Sequence, residues 1–153
     1  MSRVNRQDVL ISTNPMRNSS FRPHGTAQCE LSDSILTVHI HGDWNAEMRM
    51  LTAQKMMQHV PALHAAGPWG IINHLQDTLV YSEEIYAQTR QDYANRPPES
   101  RLRAVAFVIG PNVEGAGLLK PKFKALLEGV IENQVFKDSE SAHLWMLDQL
   151  GKR

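Results

Sequence analysis

The sequence contains a single cysteine, Cys29, and no long run of apolar residues. One thiol excludes an internal disulfide and any zinc site made of several thiolates. No apolar stretch approaches the roughly 18 residues that a membrane-spanning helix needs. Polar residues between Arg3 and Asp8 interrupt the N-terminal stretch in which a signal peptide would need apolar ones. We therefore expect a cytoplasmic protein without a membrane span.

No charge of one sign dominates either, because 16 lysines and arginines balance 16 aspartates and glutamates. A neutral chain gives no general reason to expect nucleic acid as a partner. The sequence also has no Gly-x-Ser-x-Gly elbow, no phosphate-binding loop and no His-Glu-x-x-His pair. These absences favour a protein that binds no cofactor and has no catalytic activity.

What the sequence does have is the composition of one globular domain, with 42% hydrophobic and 21% charged residues over 153 positions. Residues 1–25 differ from the rest, since they hold four arginines against one aspartate. We predict a basic, poorly ordered N-terminal arm over residues 1–25, in which residues 9–11 lay one short extended piece on the body. A single domain should follow over residues 26–153.

From Thr26 onward, patterns typical of strands and helices alternate along the chain. Strands are predicted at 26–31, 35–41, 69–75, 102–109 and 134–136. The order β-β-α-β-α-β-α-β-α predicts an α/β fold with a mixed, mostly parallel sheet of about five strands. An antiparallel hairpin opens that sheet, and about four helices cover it.

Local signals place the ends of the helices. Ser82 is a predicted N-cap, and Asp138 or Ser139 is the predicted N-cap of the last helix, because a short polar side chain can accept a hydrogen bond from a free N–H of the first turn. The first helix is predicted from Ala46 to about His64, and Pro61 should kink or end it. The side chains at three- and four-residue spacing should form its buried stripe: Met50, Ala53, Met57 and Val60.

Three segments in this order resemble the SpoIIAA-like (STAS/Sec14-like) domain family. They are Gly-Asp-Trp-Asn at 42–45, Gly-Pro-Trp-Gly-Ile-Ile-Asn at 67–73, and the strand and helix at 135–146 with its Glu-x-Ala-x-x-Trp pattern. The resemblance covers roughly residues 26–150. It implies a STAS-like fold and a non-catalytic, regulatory module that interacts with a protein partner, with homo-oligomers as a further option.

The resemblance also suggests residues for that interaction, at the end of the sheet where the strands run into their helices: Trp44, Asp77, Ser82 and Lys120. The classical antagonists of this fold carry a serine at the start of the second helix, and a partner kinase phosphorylates it. Ser82 is the matching hydroxyl here and is the phosphorylation candidate. Ser82 can equally be a plain N-cap, because Glu83 and Glu84 would repel a phosphate.

Histidines suggest a second class of function. His39 and His41 share one face of a strand, since strand side chains repeat every two residues, and Asp43 follows them. Two imidazoles and a carboxylate suit zinc or non-haem iron, and a metal-dependent enzyme would use them. The same pattern is typical of an ordinary solvated strand, for which no metal is needed.

Methionines suggest a third class, a carrier or sensor of a small apolar, lipid-like molecule. Adaptable and aromatic side chains concentrate on the first helix and beside it: Trp44, Met48, Met50, Met56, Met57 and Trp69. The relation of the family to lipid-carrying Sec14 domains implies the same possibility. The loops at 81–84 and 110–120 would form the mouth of such a pocket.

Overall fold

A computed structural model describes residues 10–11, 25–42, 46–76, 82–113 and 115–151. Six strands in these residues form one sheet, and their order across the sheet is their order along the chain. The strands are β1 Leu10–Ile11, β2 Gly25–Ser32, β3 Ile35–Gly42, β4 Trp69–Gln76, β5 Leu102–Ile109 and β6 Glu132–Phe136.

The sheet is mixed, as the sequence predicts. β2 pairs antiparallel with both β1 and β3, whereas β3, β4, β5 and β6 pair in parallel. Asp33 and Ser34 join β2 to β3 with φ of 53° and 72°, the two positive angles of a type I′ turn, whose twist suits a two-residue hairpin. The predicted fold class is confirmed. The strand number is six rather than about five in the described residues, because the two-residue β1 extends the edge.

Five helices lie in the described residues: α1 Ala46–Met57, α2 Val60–Ala66, α3 Glu83–Ala94, α4 Ala116–Leu126 and α5 Ser139–Gln149. About four were expected, because one helix was predicted over 46–64. The reason for the division is Pro61, whose ring would clash with the carbonyl of Met57 in a continuous helix. α1 ends at Met57, and Pro61 is accommodated in the first turn of α2. None of these helices is long and apolar enough to cross a membrane.

Ser82 is confirmed as an N-cap, and of the two candidates for the last helix the cap is Asp138, whereas Ser139 is the first helical residue. The Ser82 hydroxyl accepts the N–H of Ile85 at 3.2 Å, and the Asp138 carboxylate accepts the N–H of Ser141 at 2.7 Å. The bond from Ser141 holds the pKa of Asp138 below its ordinary value. These bonds fix where α3 and α5 begin, and so fix how each helix leaves the sheet.

The two faces of the sheet are covered differently. Side chains of α1, α2, α3 and α4 pack on one face, which we call the front face, together with Leu36, Val38 and Ile40 of β3. Among the described helices, only α5 covers the other face, the back face, where Ala142, Met146 and Leu150 meet Ile35 and Ile72 and the alanines of β5. Right-handed crossovers between neighbouring parallel strands in sequence order place the connecting helices on one side, which explains this arrangement.

The predicted buried stripe of the first helix is wrong in part. Met50 and Met57 are 53% and 61% exposed, whereas Thr52 is only 4% exposed. Met56 packs at the edge of the front-face core. The inward side of α1 therefore contains Thr52 and Met56. Because α1 carries methionines on both its buried and its exposed side, the spacing of apolar residues alone did not show which side faces the sheet.

Candidate functional site

The first turns of α3, which follows β4, lie beside the second half of α4, which follows β5. Lys122 of α4 forms an ion pair with Glu83 of α3, and its ammonium lies 5.1 Å from the centre of the Tyr86 ring. Leu118 is 82% exposed one helical turn before Lys122. We call the group of Ser82, Glu83, Leu118 and Lys122 the carboxyl-end surface.

The structure brings together only part of the predicted partner site. Ser82 lies on this surface and is exposed. Lys120 is half-buried and lies two residues from Leu118 and from Lys122, a spacing that turns it to a different side of α4. Trp44 and Asp77 lie outside the described residues.

Leu118 and Lys122 are thus the residues that sequence reasoning missed. Their four-residue spacing and the matching charge at Glu83 were the signals that could have found them. Neither signal says that the start of α3 lies beside α4. That follows only from the pairing of β4 with β5.

The histidines of β3 and β4 lie on the back face, beyond the part that α5 covers. The rings of His39 and His74 are 5.3 Å apart. His39 Nε2 is 3.6 Å from a Glu30 oxygen, and its Nδ1 is 3.4 Å from the amide nitrogen of Gln76. Burial, followed by the nearby His39 and His41, lowers the pKa of His74.

This arrangement is a set of pairwise polar contacts. The described residues contain no group of three or more histidine, cysteine or acidic side chains placed to hold a metal ion. Asp43, the carboxylate that the sequence added to His39 and His41, lies outside the described residues. Partners for His39 come instead from Glu30 of β2 and Gln76 of β4.

Cys29 is the one thiol and could in principle be a nucleophile. It is fully buried under the front-face helices, and this burial raises its pKa to about 12. A thiol with that pKa is protonated near neutral pH and is therefore a poor nucleophile. The structure gives Cys29 a packing role.

A cavity of about 410 Å³ lies on the front face, between the sheet and the helices α1, α2 and α3. Met56, Met57 and Trp69, three of the residues that suggested an apolar ligand, line it. Its predicted mouth was wrong, because the lining includes no described residue of 81–84 or 110–120. Side chains from the opposite end of the sheet, among them Pro97 and Ser100, line it instead.

Polar contacts join several of the residues that line this cavity. The Tyr93 hydroxyl and the Asn73 side chain form a hydrogen bond, and burial raises the pKa of Tyr93 to about 12. Arg49 of α1 forms an ion pair with Asp92 of α3 and donates to Gln88 at 3.1 Å. These contacts join the two helices that flank the cavity.

Comparisons with known proteins add one similarity in structure. A scan against models of protein families finds no match, and a search of curated proteins finds none. Among solved structures, the chain is similar to an anti-sigma factor antagonist from Mycobacterium paratuberculosis. The match covers 80% of this chain and 93% of that chain, with a TM-score of 0.45 and 16% sequence identity.

Proposed function

We propose that this chain is a non-catalytic, STAS-like regulatory module that binds a protein partner through its carboxyl-end surface. One observation carries the proposal: an exposed leucine of α4 lies one helical turn from a lysine that is paired with the start of α3. Leu118 is 82% exposed, and Lys122, four residues on, forms an ion pair with Glu83. An exposed apolar side chain beside charged ones fits the apolar centre and polar rim of many protein interfaces.

The chemistry of the described residues supports binding rather than catalysis. The buried thiol of Cys29 has its pKa raised to about 12, and the hydroxyl of Ser82 is engaged with the N–H of Ile85. Neither group is poised to attack a substrate. Phosphorylation of Ser82 fits the same proposal as a regulatory step, since the side chain is exposed and a phosphate would compete with Glu83 for Lys122.

The test compares two exposed leucines on different helices. Leu118→Asp should weaken binding to a co-purified and identified partner at least tenfold, because a charge replaces the apolar centre of the interface. Leu144→Asp is the matched control, since Leu144 is 61% exposed on α5. Binding of each purified variant to the purified partner is measured by calorimetry. Equal affinities for the two variants would contradict the proposal.

A further inference from the structure

The helices α1 and α2 cover part of the front face with very few buried side chains. Among the described side chains of these two helices, only Thr52 and Leu63 are buried. On the back face, by contrast, the helix α5 alone buries both Ala142 and Met146 completely. Elements with few buried apolar contacts are those that open most readily in the folded state of a protein. Displacement of α1 and α2 should therefore cost little free energy.

Packing does not fill the space beneath these helices. The front-face cavity of about 410 Å³ separates them from α3 and the sheet, whereas protein interiors contain few voids larger than a water molecule. Three buried atoms of its lining residues have no hydrogen-bond partner among the described residues: Trp69 Nε1, His64 Nε2 and Thr89 Oγ1. A buried polar group without a partner destabilises the closed arrangement. Water would satisfy these atoms once α1 and α2 moved away.

Arg49 joins the two sides of the cavity. It lies on α1 and lines the cavity, as Asp92 of α3 also does. The two side chains form an ion pair, and Arg49 Nε donates to the side-chain oxygen of Gln88, also on α3, at 3.1 Å. The Arg49 side chain is 18% exposed and that of Asp92 51%, so dissolved salt reaches the pair from the Asp92 side and weakens it.

We propose that α1 and α2 together form a lid over the front-face cavity, and that the ion pair between Arg49 and Asp92 is the latch of this lid. Release of the latch lets the lid move away from α3 and the sheet, and this movement opens the cavity to solvent. Neither the lid nor the latch contains a residue of the carboxyl-end surface. The inference is therefore independent of the proposed binding of a protein partner.

Cys29 can report the movement of the lid. It is the one cysteine of the sequence, it is fully buried, and it lies on β2, next to α1. Burial raises the pKa of its thiol to about 12, and the nearby Lys55 of α1 acts in the opposite direction. The thiol should react with a reagent only when α1 moves away or when the whole chain unfolds. The experiment measures by mass spectrometry how fast N-ethylmaleimide, an uncharged reagent, labels Cys29 in the full-length protein.

Variants test the latch. Arg49→Asp replaces the ion pair with two carboxylates and should speed the labelling of Cys29 about tenfold. Exchange of the two charges, Arg49→Asp with Asp92→Arg, should restore a rate close to that of the wild type. Lys124→Asp makes the same change of charge at an exposed position of α4 and is the control, which should label at the wild-type rate. A wild-type rate in Arg49→Asp, or no slowing in the exchanged pair, would overturn the latch.

Urea and salt separate lid opening from a general loss of stability. Labelling through the lid should change little with urea below the unfolding transition, because far less surface is exposed than in global unfolding. From about 0.01 M to about 1 M sodium chloride, the screening length falls from about 30 Å to about 3 Å. Salt should therefore speed the labelling of the wild type but not that of Arg49→Asp. Labelling that follows global unfolding at every urea concentration, or a wild-type rate that salt leaves unchanged, would contradict the proposal.

Discussion

The two faces of the sheet differ in how tightly they are packed. On the back face, α5 lies so close to β4 that a Cβ at Gly70 would meet Met146 Sδ at 2.2 Å. On the front face, four helices leave a cavity of about 410 Å³ against the same strand. β4 is thus closely packed on its back face and borders a cavity on its front face. The comparison indicates that α5 packs closely on the sheet, whereas the front-face helices leave space beside β4.

The largest expected effect comes from the same substitution made on each face. Met146 is fully buried, so Met146→Ala should lower the free energy of unfolding by about 3 kcal/mol. Met56 is half-buried and borders the cavity. Met56→Ala removes fewer contacts and should cost about 1 kcal/mol. Urea unfolding of both variants measures the difference, and equal losses would contradict the contrast between the faces.

The second effect tests the close approach directly. Gly70→Ala should cost about 1–3 kcal/mol, because the added methyl group forces Met146 from its place in a core without free space. The double variant Gly70→Ala with Met146→Ala should be less destabilised than the sum of the two single losses. Residues in contact couple in this way. Strict additivity in urea unfolding would show that the two positions do not meet.

The back face was also the more predictable one from sequence. Its helix begins after Asp138, one of the two predicted caps, and β5 has the predicted limits Leu102–Ile109, because caps and apolar runs are local signals. The ring of Trp145 in this helix is 5.5 Å from that of Phe136, beside the back-face core. On the densely packed back face, these local signals were enough to predict where the helix and the strand begin.

The front face was less predictable, for a physical reason. The cavity depends on the distance of α1 and α3 from the sheet, and no spacing of residues within one helix encodes that distance. Asn73 illustrates this limit, because its role in the cavity wall arises from a bond to Tyr93 twenty positions away in the sequence. The carboxyl-end surface has the same limit, since Lys122 and Glu83 become neighbours only through the sheet.

The third effect concerns α3, which forms part of the cavity wall. Ser82→Ala removes the oxygen that accepts the Ile85 N–H and should cost about 1 kcal/mol. Ser82→Asp should restore most of this stability, since aspartate caps helices equally well and favours the positive end of the helix dipole. Hydrogen exchange should show faster exchange in the first turn of α3 for the alanine variant alone. Unchanged exchange would mean that the cap does not hold α3.

The smallest effect belongs to the polar part of the back face, which α5 leaves uncovered. Burial first, and then His39 and His41, lower the pKa of His74 from its ordinary value of 6.5. As the pH falls through 6.5, His74 therefore binds a proton more readily in the unfolded chain than in the folded one. For this reason the free energy of unfolding should fall as the pH drops from about 7.5 towards about 5. His74→Gln removes the titrating group and should flatten that part of the profile.

His143→Gln, at an exposed position of α5, is the control and should keep the wild-type slope. Urea unfolding across this range measures all three proteins. A wild-type slope in the His74→Gln variant would show that the pH dependence arises elsewhere in the chain.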